Sequence, residues 1–173
     1  MYLDLILSRQ LSDGGWAMAS QGECGDVDIT AMAIRALTAY NNDIQVNNAI
    51  GKGIEFLSKN QKENGGFSSY DEENSDSGAQ VLMAMVSAGV SVDDPRFIKN
   101  GNSVIDFIER FYVDSGGFRH TDEDTINSMA SEQCLCGLSD LLQREENVSM
   151  KKCDDIKLRV FLNYVEETKE MMK

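Results

Sequence analysis

Apolar residues along the middle of this chain recur with helical spacing. Ile50, Ile54 and Leu57 fall at i, i+4 and i+7, while Lys52 and Glu55 point to another side. This spacing predicts an amphipathic helix with one face in water. No stretch of the sequence alternates with a sustained period of two, which would indicate a strand. The pattern therefore predicts an all-α protein.

A second kind of helical segment is apolar around its whole circumference. Residues 79–88 carry no charged side chain and are rich in small residues. A helix of this composition is buried on all sides. We therefore predict two layers, with amphipathic helices outside and small-residue helices inside. The inner helices are expected near residues 29–40, 77–88 and 128–142.

A short motif recurs three times along the chain. Its three copies are Gln10, Gly14, Gly15 and Trp16; Gln61, Gly65, Gly66 and Phe67; and Tyr112, Gly116, Gly117 and Phe118. The glycine pairs begin at positions 14, 65 and 116, a constant spacing of 51 residues. A fixed period of this size marks stacked supersecondary units.

The period divides the chain into similar units. We predict a single domain over residues 1–173, with repeats of about 2–43, 44–93 and 94–143. A last helix is expected near residues 154–171, with Ile156, Val160 and Phe161 facing the body of the domain.

The residue types of the motif indicate a structural role. Glycines give the backbone freedom at a tight junction between helix and loop. The aromatic residue covers the turn, and the glutamine amide can bond to backbone groups left unpaired at a helix end. Tyr112 replaces the glutamine in the third copy.

The motif and its spacing resemble the QW repeat of squalene and oxidosqualene cyclases. Protein prenyltransferase β subunits share a related repeat. The resemblance implies a partial α/α toroid of about three helical hairpins. Because complete toroids of these families hold about six hairpins, it also implies part of a longer toroid, closed by a missing half or by self-association.

Other segments resemble a narrower group. Residues 6–11, 71–77, 94–104 and 129–133 are similar to uncharacterised prenyltransferase-repeat proteins exported by Gram-positive anaerobes. That resemblance implies an extracellular or cell-surface location and carries no reaction with it.

Charge and hydropathy exclude several classes of partner. The chain has 16 basic and 29 acidic residues, a net charge of −13, which opposes binding to nucleic acid or to anionic membranes. No apolar run approaches the roughly 18–20 residues of a transmembrane helix. The stretch 1–8 contains Asp4 and no basic residue, so it does not read as a signal peptide.

The most specific chemical hypothesis concerns residues 26–31. Asp-Val-Asp-Ile-Thr-Ala resembles the DxDDTA motif of class II terpene cyclases, whose middle aspartate protonates an alkene. That position maps to Asp28, with Asp26 beside it, while Ile29 departs from the family's last aspartate. The alternative is that Asp28 caps the inner helix, as Asp76 does at the aligned place in the second repeat. Capping is the interpretation we favour.

Metal chemistry has little support in the sequence. Glu132 and Cys134 weakly resemble the Asp-x-Cys of the zinc-dependent prenyltransferases, but the sole histidine, His120, lies upstream. A zinc site needs three converging protein ligands. We therefore predict no metal and no other cofactor.

The acidic loops and the cysteines are two further sets of residues that could bind a ligand. Acidic loops on one rim offer oxygen ligands to a hard cation, although such loops are usually only solvated. Their carboxylates are Glu23, Asp26, Asp28, Asp71, Glu72, Glu73, Asp76, Asp122, Glu123 and Asp124. The four cysteines, Cys24, Cys134, Cys136 and Cys153, are expected to be buried free thiols.

The expected function is a binding or scaffolding module of an exported protein, with a ligand that the sequence does not identify. The alternative is a divergent class II terpene cyclase with Asp28 as proton donor. A cyclase needs an aromatic-lined cavity for carbocations. The inner helices offer Met, Ala, Val and Leu instead, and the single Trp lies in a turn.

Overall fold

The computed structural model describes residues 2–18, 24–69, 71–123 and 125–148. Over these ranges the helices are α1 (Tyr2–Ser8), α2 (Val27–Thr38), α3 (Ile44–Asn60), α4 (Ser75–Ser87), α5 (Val104–Glu109) and α6 (Ser128–Val148). A 3₁₀ turn covers Pro95–Phe97. The helix predicted near 154–171, with Ile156, Val160 and Phe161, lies outside the described residues.

The helices form the two predicted layers. α4 is the central inner helix and packs between α2 and α6, with α5 against it from the outer layer. Every residue from Ser75 to Met85 is buried. α3 buries one face that includes Ile50, Ile54 and Leu57 and exposes Lys52 and Glu55. The prediction of a mostly helical, layered fold is confirmed.

Two short antiparallel hairpins accompany the helices and were not predicted. β1 (Ser68–Ser69) pairs with β2 (Glu72–Glu73), and β3 (Phe118–Arg119) pairs with β4 (Ile126–Asn127). Each hairpin follows a Gly-Gly turn and leads into an inner helix. Strands of two residues are too short to produce an alternating pattern, so periodicity could not reveal them.

The motif glutamines join consecutive repeats. The Gln10 amide donates to the carbonyls of Gly14, in its own turn, and Ala49, in the next outer helix, at 2.9 and 2.8 Å. Gln61 repeats this arrangement with Gly65 and Phe97, both at 2.9 Å. The amide therefore satisfies backbone acceptors in two repeats at once, which fixes how one hairpin stacks on the next.

The first glycine of the first two motifs meets two constraints. Gly14 and Gly65 have φ values of +93° and +81°, in the region that side chains disfavour. A Cβ on Gly65 would lie 2.3 Å from the carbonyl oxygen of Ser103, at the start of the next outer helix. Close packing between repeats thus requires glycine here.

Candidate functional site

The inner helices are capped two residues earlier than the sequence predicted. The Asp26 carboxylate accepts the Ile29 N–H at 2.9 Å and starts α2. Asn74 accepts the Ser77 N–H at 2.8 Å and starts α4. The interpretation of Asp28 and Asp76 as caps is therefore wrong.

The sequence contained a clue to this assignment. Asn127 also accepts backbone N–H groups, from Met129 and Ala130, at the start of α6. Asp26, Asn74 and Asn127 thus occupy one position of the repeat, and all three are residue types preferred at an N-cap. Aspartate recurs two residues later only in the first two repeats, where the third has Met129.

With the caps supplied by other residues, the carboxyls of Asp28 and Asp76 are available for other contacts. Both lie in the first turn of their helices, and they are close enough to influence each other electrostatically. Asp76 is 9% exposed, and Ser77 beside it is fully buried. α2 and α4 pack together in the inner layer, which brings these residues to one place.

The hairpin of each following repeat covers the start of the preceding inner helix. In the second repeat, the Ser69 hydroxyl donates to the second carboxylate oxygen of Asp26 at 2.8 Å. In the third repeat, Ser75 donates its N–H to the carbonyl of His120 at 2.9 Å. His120 is thereby held over α4, and its Nδ1 pairs with Oδ2 of Asp76.

We refer to Asp26, Asp28, Asp76, Ser77 and His120 as the carboxylate cluster. Ser69 and His120 are 51 residues apart, so they occupy the same position of the repeat. The residues of the cluster come from three repeats. Two equivalent contacts between successive repeats bring them together, that of Ser69 with Asp26 and that of His120 with Asp76.

Three buried polar atoms of the cluster lack a close hydrogen bond among the described parts of the chain, although the Ser77 hydroxyl is near enough to Asp28 to lower the pKa of its carboxyl. They are Oδ1 of Asp28, Oδ1 of Asp76 and Oγ of Ser77. Buried polar atoms are nearly always hydrogen-bonded, and exceptions concentrate at sites that bind something else. These two carboxyl oxygens and the Ser77 hydroxyl mark the cluster as the candidate functional site.

The electrostatic setting of Asp28 favours its neutral form. Burial raises the pKa of its carboxyl above the ordinary value near 3.8, and the Ser77 hydroxyl opposes that shift. The neighbouring carboxylates Asp26 and Asp76 raise the pKa further, and Ser69 opposes them. The N-terminal turn of a helix also stabilises the anion, so Asp28 is held between two opposing influences.

The described ranges of the chain contain no group of three His, Cys, Asp or Glu side chains placed to hold a metal ion. Glu73 pairs with Lys62 at 3.3 Å, and Asp122 with Arg110 at 2.8 Å. Glu23 and Asp124 of the acidic loops lie outside these ranges.

The cysteines differ from the prediction of buried thiols. Cys134 is buried, and burial raises its pKa to about 12, which disfavours the thiolate that metals bind. Cys24 and Cys136 are exposed, because Cys24 lies in a loop and Cys136 points away from the core. Cys153 lies outside the described residues.

An apolar groove of about 530 Å³ lies at the first repeat, between α1 and α2. Its lining includes Leu5, Trp16, Met18 and Met32. Leu5, Met18 and Met32 are 51%, 79% and 49% exposed. The groove therefore presents large apolar side chains to water at the edge of the inner layer.

Two known protein families match this chain. Residues 5–115, more than half of the chain, match the squalene-hopene cyclase C-terminal domain. Residues 95–171 match the prenyltransferase alpha-alpha toroid domain. A comparison with curated proteins finds no match. No helix in the described part of the chain is both long and apolar enough to cross a membrane.

Proposed function

Because the chain belongs to the terpenoid cyclase and prenyltransferase α/α-toroid superfamily, we propose that it uses this fold as a binding module. The carboxylate cluster is its ligand site. The observation that carries the proposal is the buried Oδ1 of Asp76, which has no hydrogen-bond partner among the described residues and lies beside the partly buried Asp28 carboxyl. A buried acceptor left without a partner destabilises a fold by about 1–3 kcal/mol, so a ligand that donates a hydrogen bond to it is favoured.

The inner layer also favours binding over cyclisation. A chain of polar contacts crosses all three inner helices: Arg35 donates to Gln80 at 3.4 Å, and Gln80 donates to Gln133 at 2.9 Å. Cyclisation proceeds through carbocations, which aromatic faces stabilise. Amide and guanidinium groups in that layer suit a polar ligand better than a hydrocarbon.

The groove supports a scaffolding role in a larger assembly. Exposed apolar patches on soluble domains commonly mark interaction sites. In this proposal, the α1–α2 edge is covered by the remaining half of a toroid or by a second copy of the chain. The similarity of residues 71–77 and 94–104 to exported repeat proteins supports a location outside the cell.

A second candidate function, a divergent class II terpene cyclase, rests on one observation. Asp26 takes the cap, and burial raises the pKa of Asp28. A proton donor must keep its proton until the reaction, and its carboxyl must not be needed to stabilise the fold. Ile29 in place of the family's last aspartate and the polar inner layer weigh against this candidate.

Incubation of the full-length protein with squalene, followed by product analysis, distinguishes the two functions. We expect no product above a no-protein control. Cyclised product that disappears in Asp28→Asn and persists in the matched variant Asp93→Asn, at an exposed position outside the cluster, would establish the cyclase and overturn the binding module.

A further inference from the structure

Met18 occupies the same position of the repeat as Ser69 and His120, since the three residues are spaced 51 apart. Ser69 lies against Asp26 and His120 against Asp76, so each covers the start of the preceding inner helix. Met18 belongs to the first repeat and is 79% exposed. The equivalent partner of Met18 is therefore the start of an inner helix that does not precede it in the described stack.

Leu5 shows the same relationship in the outer layer, where it occupies the position of Phe56 and Phe107. A Cβ on Gly15 would lie 3.0 Å from the Phe56 ring, and one on Gly66 would lie 2.2 Å from the Phe107 ring. Each ring thus packs on the Gly-Gly turn of the preceding repeat and is buried, whereas Leu5 is half exposed. We refer to Leu5 and Met18 as the front face, which is one half of a junction between repeats.

The start of α6 carries the other half of such a junction. Met129 occupies the position that Asp28 and Asp76 hold in the first two inner helices, and it is 63% exposed. Ile126, in β4 just before α6, is also exposed. We refer to Met129 and Ile126 as the back face. It corresponds to the surface that the hairpin of a following repeat covers at the first two inner helices.

The chemistry of the two faces matches. At the internal junctions both sides are polar, because Ser69 or His120 meets a carboxylate. At the two ends both sides are apolar, with Met18 on the front face and Met129 on the back face. Burial of apolar surface favours association, and flexible methionine side chains adapt to one another. Each copy of the chain carries both faces, so a second copy can supply the partner of each.

We propose that two copies of this chain associate head to tail, with the front face of one copy on the back face of the other. This inference rests on the scaffolding role proposed above and commits the α1–α2 edge to a second copy. Met18 then lies over the start of α6 beside Met129, as Ser69 and His120 lie over α2 and α4. The contact continues the stacking of the repeats from one chain into the next. Because the two faces differ, the contact is heterologous.

Sedimentation equilibrium of the 173-residue chain provides the test. We expect the weight-average mass to rise above that of the monomer as the protein concentration increases. The measurement needs physiological salt, because two chains of net charge −13 repel each other and salt screens that repulsion. A wild type that stays monomeric at every concentration overturns the proposal.

Single variants show whether both faces take part. Met18→Asp and Met129→Asp are each expected to weaken association about tenfold or more, because each places a carboxylate against an apolar surface. Met129→Asp should fold normally, since aspartate already stands at this position in α2 and α4. Ile44→Asp is the matched control, because Ile44 is exposed in the first turn of α3 and belongs to neither face. It should associate like the wild type. Wild-type association in a folded Met129→Asp protein would mean that front faces pair with each other, and would overturn the head-to-tail contact.

A charge pair tests the contact directly. The double variant Met18→Lys/Met129→Asp is expected to recover association, because the lysine of one copy meets the aspartate of the other. Its association should weaken as salt increases. Failure of the double variant to associate better than Met129→Asp alone would overturn the contact between these two positions. None of these results bears on the carboxylate cluster, whereas squalene turnover overturns the binding module itself.

Discussion

Replacing Gly65 with alanine is expected to lower the free energy of unfolding by about 2–5 kcal/mol. The residue has φ +81°, where an L side chain is strained. Its added Cβ would also lie 2.3 Å from the backbone oxygen of Ser103. That oxygen belongs to the N-cap of α5 and cannot move without displacing the helix. Urea denaturation measures the loss.

Gly101 provides the matched control, because it shares the conformation without the contact. Its φ is +83°, and no atom lies within 4 Å of a Cβ built there. Gly101→Ala should therefore cost only the backbone strain, about 1–2 kcal/mol. Equal losses for the two variants would show that the repeat interface tolerates a side chain at the turn, contrary to the packing described here.

The second large effect concerns Gly66 and Phe107. A Cβ on Gly66 would lie 2.2 Å from the Phe107 ring, although the Gly66 backbone is not in the left-handed region. Phe107 is fully buried and packs edge-on against Phe111. Gly66→Ala should cost about 1–3 kcal/mol by overpacking, and Phe107→Ala about 3–5 kcal/mol by leaving a cavity.

The double variant Gly66→Ala/Phe107→Ala tests whether the loss of stability in Gly66→Ala comes from contact with the Phe107 ring. In Phe107→Ala, the ring that blocks the new methyl group is gone. The double variant should therefore lose about 1–3 kcal/mol less than the two single losses together. Strictly additive losses would show that Gly66 is required for a reason other than this contact.

Much of the fold could be predicted from the sequence because the repeat indicates how the helical hairpins are arranged. The 51-residue period and the uncharged segment 79–88 predicted the stacked hairpins and the buried central helix. The exact helix starts could not be predicted, since Asp26 and Asp28 are both good caps by residue type. Only the backbone shows that Asp26 bonds to Ile29.

The candidate site was harder to predict than the fold. Asp28 was singled out by its resemblance to a cyclase motif, and Asp76 by alignment of the repeats. Ser77 and His120 were not linked to either residue. The link depends on how the hairpin of the third repeat lies over α4, through the bonds of Ser75 to the backbone of Arg119 and His120. Stacking of this kind is set by packing and leaves no local pattern.

Asp26 caps α2 and so holds the fold, whereas Asp28 belongs to the proposed ligand site and has no capping role. Burial raises the folded-state pKa of Asp28 above its unfolded value near 3.8. Its contribution to stability is therefore favourable below pH 3.8 and is lost as the pH rises through the folded-state value. The ionised form of the Asp28 carboxyl therefore opposes folding, whereas the Asp26 cap supports it.

The most direct test compares the unfolding free energies of Asp26→Ala and Asp28→Ala at pH 7. Asp26→Ala should lose about 1–2 kcal/mol, because it removes the cap of α2. Asp28→Ala should be as stable as the wild type or more stable, and any gain should disappear near pH 3. A loss in Asp28→Ala as large as that in Asp26→Ala would place Asp28 among the residues that hold the fold and would contradict its assignment to a ligand site.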